Sequence, residues 1–339
     1  MKSCYLLLLL GLSILASSAA TAAPYTYLSP GFDQQVYAAI AGQVTSFAFA
    51  PNGDIWALRK SPNALVRIDA HATQMVNGTA LHPISQTVPV TAAFGDVFIG
   101  VANHPNGSLY LAAMQQMAIA DATTGAILQP GAVGSCGGWQ ATASPTLPYH
   151  LLVASGWGDR DVDPSTLNCT TVYAGSTQFD FHADSAFDPA TGMLLSVAAV
   201  RVSDFPVETY RYYLMRFSPN YGQGGAWAEL PVFPTGVAPF QGLPHVIVGL
   251  VDGTLVDVDF SASQPGPVKL FASGGFPLAT GFSNGGIVRV GPDGALYALQ
   301  PGTRYDDGTV TSESSIVRIS EHEIPTQATT WGKLKASYR

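Results

Sequence analysis

Short apolar stretches alternate with turn residues along nearly the whole chain, and almost none carries the spacing of an amphipathic helix. What recurs is an apolar strand, a Pro/Asn/Asp-Gly turn and a second apolar strand. Phe47-Ala-Phe-Ala-Pro-Asn-Gly-Asp-Ile-Trp-Ala-Leu58 is one copy, Phe98 to Ala112 is another, and Ile287 to Leu299 is the clearest. Ser185 to Leu195 and His245 to Leu255 are looser, and Trp139 to Val153 turns at Ser144-Pro145 instead. The Asn-Gly and Asp-Gly pairs supply the positive φ that tight hairpins require. Several copies run on into a third strand, at Leu65 to Asp69, Tyr212 to Phe217 and Ser315 to Ser320.

The turn glycines stand at positions 53, 107, 192, 253 and 294, and the one long interval, from 107 to 192, holds the Trp139 copy. Six units of roughly 40–60 residues with several strands each are the signature of a radial repeat. Such small sheets hide their faces only by packing around an axis. The sequence therefore predicts an all-β, six-bladed β-propeller over residues 23–322. A seventh blade stays open if the interval from Gly53 to Gly107 hides one. A β-sandwich and a solenoid are the alternatives.

The ends break this pattern. Lys2, the apolar run Tyr5 to Ala16 and the small-x-small triplet Ala20-Thr21-Ala22 predict a secretory signal peptide over residues 1–22. An uncleaved anchor is the alternative. No later stretch is apolar enough to span a membrane, so no integral segment is expected after cleavage. Residues 323–339 form a tail with Lys333, Lys335 and Arg339, read as docked, flexible or a sorting signal. A secreted or periplasmic chain meets oxidising conditions, so Cys136 and Cys169 are expected to pair. Asn77-Gly-Thr, Asn106-Gly-Ser and Asn168-Cys-Thr fit the glycosylation sequon. The formal net charge of -8 argues against a nucleic-acid partner.

The segment Gly286-Ile-Val-Arg-Val-Gly-Pro-Asp-Gly-Ala-Leu-Tyr-Ala-Leu, ending in Ser315-Ile-Val-Arg-Ile, resembles one blade of the NHL-repeat and streptogramin-lyase-like propellers. Phe49-Ala-Pro-Asn-Gly-Asp-Ile-Trp is similar to the same hairpin, and to that of the gluconolactonase-like and strictosidine-synthase-like propellers. The resemblance implies blade architecture. The gluconolactonase strand opens on a metal-binding Glu, and Val44-Thr-Ser-Phe stands in that place here.

In a propeller the first strands line the axis, and their opening residues rim the channel on the face away from the Asn/Asp-Gly turns. That reading puts Thr45, Asp96, Trp139 with Gln140, His182 with Asp180, His245, and Asn284 at the rim. Three long loops are expected on the same face: Trp157 to Pro164, Arg201 to Tyr210 and Pro301 to Gly308. Asp96, His182, His245 and Asn284 offer imidazole, carboxylate and amide donors to one divalent ion, calcium, magnesium or zinc. Without metal, His182 or His245 suits a general base. Trp139, Asp180, Arg201 and Arg304 are the candidate ligand-binding residues. The bland alternative is a polar channel mouth bonded to water and backbone. Asp159-x-Asp161-x-Asp163 departs from a calcium loop at its sixth and twelfth positions and reads as a solvated turn. His71, His82 and His322 read as surface residues, His104 as lying on the turn side and His150 as structural.

Three functions fit these residues. The first is a monomeric, exported propeller that binds a small molecule or extracellular protein at the channel rim without turnover. The second is a metal-assisted, lactonase-like hydrolase or lyase at that rim. The third is a quinone-dependent sugar dehydrogenase, for which Arg160, Arg201 and Arg304 are the loop cations. Fold alone does not choose among them.

Overall fold

The computed structural model describes residues 25–322, apart from 61, 93–95, 134–135, 146–148, 157, 174–180, 204–208, 222–223, 241–244, 261–265, 276–285 and 301–312. The expected signal peptide and tail lie outside these residues.

Six small antiparallel sheets stand around one axis. Blade 1 runs Val44–Phe49, Ile55–Lys60, Asn63–Ile68 and Ile84–Pro89 from the axis outward. Blade 2 is Gly100–His104, Ser108–Ala113, Gln116–Asp121 and Ile127–Val133. Blade 3 is Gln140–Ala143, Leu151–Ser155, Gly158–Val162 and Cys169–Tyr173. Blade 4 is Phe181–Phe187, Leu194–Ser203, Thr209–Phe217 and Gly224–Leu230. Blade 5 is Pro234–Pro239, His245–Leu250, Leu255–Asp259 and Lys269–Ser273, with Tyr27–Leu28 as a fifth strand. Blade 6 takes Val288–Val290, Leu296–Gln300 and Ser314–Glu321 from the C-terminal side, and Phe32–Ile40 from the N-terminal side as its outer strand. That strand closes the wheel with residues from both ends of the chain. The protein is a six-bladed β-propeller. The interval from Gly53 to Gly107 holds a two-stranded hairpin, Gln74–Val76 with Thr79–Leu81, and not a seventh blade.

The alternation of the strands explains the packing. Successive side chains point to opposite sides of a blade, so each blade offers an apolar face to both neighbours. Six hydrophobic clusters result, one at each blade–blade interface. Blades 1 and 2 bury Trp56, Leu58, Leu109 and Leu111 between them. Blades 6 and 1 close the ring on Phe47, Ile55, Leu299 and Ile316. The turns follow the sequence as well: Gly53 and Gly294 sit at φ +89° and +77°. Cys136 and Cys169 form a disulfide that ties the lead-in of blade 3 to its outer strand.

Strand direction defines two faces. On the turn face each first strand ends and turns into the second. On the loop face the first strands begin and second strands turn into third. Gly53, Gly107, Gly192 and Gly294 are on the turn face. Gly253 is not, because it joins the second and third strands of blade 5. The hairpin from His245 to Leu255 is thus one strand further out than its sequence suggests.

Candidate rim site on the loop face

The inner strands are tied together by polar side chains that reach past a neighbour. In blades 1 to 3, Ser46 Oγ donates to Gln140 Oε1 at 2.7 Å. Gln140 Nε2 donates to the carbonyls of Thr45 (3.2 Å) and Ile99 (3.1 Å). In blades 4 to 6, the Arg289 guanidinium donates to both Asp184 oxygens, at 2.6 and 2.9 Å. The Val237 N–H adds a bond to the same carboxylate at 3.0 Å. Burial pushes the Asp184 carboxyl up, and Arg289 draws it back toward the ionised form. Ser46, Gln140 and Asp184 are 0–1% exposed, so the hub is filled with protein at this level.

Above this layer three consecutive first strands open on aromatic rings. Trp139, set by its N–H bond to the Ala154 carbonyl (2.7 Å), packs on Phe181 with ring centroids 5.1 Å apart. Phe181 packs on Phe233 at 5.6 Å, and Phe233 on Tyr212 at 5.9 Å. Trp139, Phe181, Phe233 and Tyr212 are all half-buried. The four rings run continuously along the mouth from blade 3 to blade 5. Tyr212 belongs to a ribbon made by the long second and third strands of blade 4, which carries Arg201 opposite Tyr210 beyond it. On blade 2, Asp96 bonds its own turn: its carboxylate accepts from the Val97 N–H (2.8 Å) and the Gln115 N–H (3.4 Å).

The structure does not bring the four proposed metal ligands together. His182 does start an inner strand, yet it is fully buried between blades 3 and 4. Its Nδ1 lies 2.9 Å from Asp159 Oδ2 and 2.9 Å from Ser196 Oγ, while Ser185 Oγ donates to Asp159 Oδ1 at 2.6 Å. His245 begins a second strand and stands on the turn face, 3.0 Å from Asp257. Burial pushes the Asp257 carboxyl up and His245 opposes that shift. The six-residue strand that His245 begins spans about 17 Å to the loop face, so His182 and His245 cannot share an ion. Asn284, Asp180 and Arg304 lie outside the described residues. Among the described residues no group of three His, Cys, Asp or Glu side chains could hold a metal ion.

The histidines separate by face. His71, His82, His104, His150, His245 and His322 all stand on the turn face, and only the buried His182 does not. The expected solvated turn from Asp159 to Asp163 is the third strand of blade 3. Asp159 and Asp161 point from it toward blade 4, and Asp161 pairs at 2.7 Å with His150, which precedes the second strand of the same blade 3. Asp159 is buried because the neighbouring blade supplies its partners.

Sequence reasoning found Trp139 and missed Phe181, Phe233 and Tyr212. Phe233 leads into a first strand with no Asn/Asp-Gly pair directly after it in the sequence, so a search for that dipeptide passes over it. A search for an aromatic residue at each inner-strand opening would have found both phenylalanines.

No family model matches this sequence, and no curated protein matches it. Solved structures do. The chain is similar to a putative oxidoreductase (glucose dehydrogenase) from Thermus thermophilus, with a TM-score of 0.57 and 14% identity over 86% of this chain and all of that one. It is similar to a Trichoderma reesei carbohydrate-active enzyme of family AA12, with a TM-score of 0.59 and 12% identity over 89% and 100% of the two chains. The PQQ-bound aldose sugar dehydrogenase of Streptomyces coelicolor matches with a TM-score of 0.53 and 12% identity over 87% and 100%. At these identities the likeness is one of fold.

Proposed function

We propose that this chain is an exported propeller that binds a small molecule at the channel rim of its loop face, without turnover. The aromatic row of Trp139, Phe181, Phe233 and Tyr212 carries the reading. Aromatic side chains offer large contact area at little entropic cost. Half-buried rings at the mouth of a filled hub give a ligand apolar surface and a rigid base. The disulfide, together with the leader expected from the sequence, supports export.

An oxidoreductase reading rests on fold alone, and fold does not transfer chemistry. Of the three loop cations expected for a quinone, Arg160 is in the third strand of blade 3 and Arg201 in the ribbon of blade 4, on different blades.

A fragment library screened by calorimetry tests the binding reading. Hits are expected to weaken about tenfold or more in Trp139→Ala and to be unaffected in His245→Ala. The reverse pattern would move the site to the other face.

A further inference from the structure

Blades 5 and 6 meet at the loop face on three buried polar side chains. Gln300 and Ser315 are cross-strand partners in blade 6. They lie on the side of the blade that carries Ala298 and Val317, which share a cluster with Ala238 and Ile247 of blade 5. Thr235 comes from the first strand of blade 5, at the bulge between Pro234 and Gly236 and two residues past Phe233. A bulge re-aims a side chain. Here the Thr235 hydroxyl lies where Gly286 of blade 6 has no side chain: a Cβ on Gly286 would stand 2.5 Å from Thr235 Oγ1. The Leu299 N–H bond to the Ile287 carbonyl (2.8 Å) continues the ladder and sets Gly286 opposite Gln300. The three side chains thus form one row along the interface, on strand positions about 5 Å apart.

All three are shielded from solvent: Thr235 is 4%, Gln300 1% and Ser315 0% exposed. Among the described residues, Thr235 Oγ1, Ser315 Oγ and both polar atoms of the Gln300 amide have no hydrogen-bond partner. The Tyr25 phenol, which burial pushes up, is near enough for Gln300 to draw it back, but the two side chains do not meet in hydrogen-bonding geometry. Such a separation is one that a water molecule bridges. Leaving this set unpaired costs more than a marginally stable fold can carry. Its partner must donate and accept at once. A metal ion leaves the Gln300 N–H groups unpaired, and an anion leaves the Gln300 carbonyl oxygen unpaired. A hydroxyl does both, and the depth of burial confines it to water.

We propose that ordered water fills the joint between blades 5 and 6, hydrogen-bonded to Gln300, Ser315 and Thr235. A buried water makes about three such bonds, so about one or two molecules suffice. The water ties the first strand of blade 5 to the second and third strands of blade 6, next to Phe233. The proposal goes beyond the rim-binding reading and does not rest on it.

Urea unfolding gives opposite signs for a wet joint and a dry one. Gln300→Met keeps the shape of the side chain and removes its amide. With water in the joint, the variant is expected to lower the folding equilibrium constant about tenfold, because the water and the two hydroxyls lose a partner. In a dry joint the amide atoms are a burden, and the variant would be as stable as the wild type or more so. An unchanged or raised constant therefore overturns the proposal. A crystal structure of the wild type supplies the second measurement. Density for water about 3 Å from the Gln300 amide and from at least one of the two hydroxyls supports it. Density that shows these atoms bonded to protein groups, with no water among them, overturns it. The density decides where Gln300→Met does not fold or where the two measurements disagree.

Discussion

Gln140 and Ser46 hydrogen-bond at 2.7 Å although they belong to blades 3 and 1. The bond passes blade 2 where Gly100 stands. A Cβ at position 100 would lie 2.7 Å from Gln140 Cα and 2.8 Å from the Trp139 carbonyl oxygen, both backbone atoms. Gly100→Ala must push the inner strands apart and is expected to cost about 1–3 kcal/mol. A lower urea midpoint at constant slope would show it. An unchanged midpoint would mean that the inner ring has slack.

The Asp184–Arg289 pair has the same role on the other half of the wheel. Asp184 is fully buried and Arg289 nearly so. Arg289→Met leaves a buried carboxylate without its cation, and the expected loss is about 3–5 kcal/mol. Replacing both, as Asp184→Leu with Arg289→Met, should cost less than Arg289→Met alone. A double variant that loses the sum of two large single effects would argue against direct coupling.

The disulfide joins cysteines 33 residues apart. Restricting the unfolded chain in this way stabilises by about 3–4 kcal/mol. Cys136→Ser with Cys169→Ser should lower the unfolding free energy by that order, and unfolding of the wild type with and without reductant reads the same difference.

Alkaline pH should weaken the fold. Burial pushes the Tyr37 phenol up to about 12, with Asp293 and Asp54 adding to it. In the unfolded chain a tyrosine ionises near pH ~10. The native state holds its proton longer, so the contribution is complete below about pH 10 and is lost as pH rises toward 12. Burial also pushes Tyr25 and Tyr297 up. Unfolding free energy should be level to about pH 10 and then fall, less steeply in Tyr37→Phe. A rise above about pH 10 would contradict this.

The blades were legible because a hairpin is a local object. Asn52-Gly53 and Asp293-Gly294 mark tight turns, and apolar alternation marks the strands beside them. Rank within a blade was less legible. His245 follows a strand that ends without an Asn/Asp-Gly turn, so its hairpin looks like an inner one and proves to lie one strand out. The fate of Asp159 was illegible for another reason. Its partners His182 and Ser185, both bonded in turn to Ser196, come from the next blade, and their burial arises only when two sheets pack. Trp139 was found because it opens a recognised repeat. The row it begins depends on rings brought together by the closure of the wheel.

Oxidative footprinting of the protein with and without a bound fragment is the most direct test of rim binding. Bound fragments are expected to protect Trp139, Phe181 and Phe233 and to leave Tyr149 and His245 as reactive as before. Protection confined to Tyr149 and His245, on the opposite face, would contradict the account.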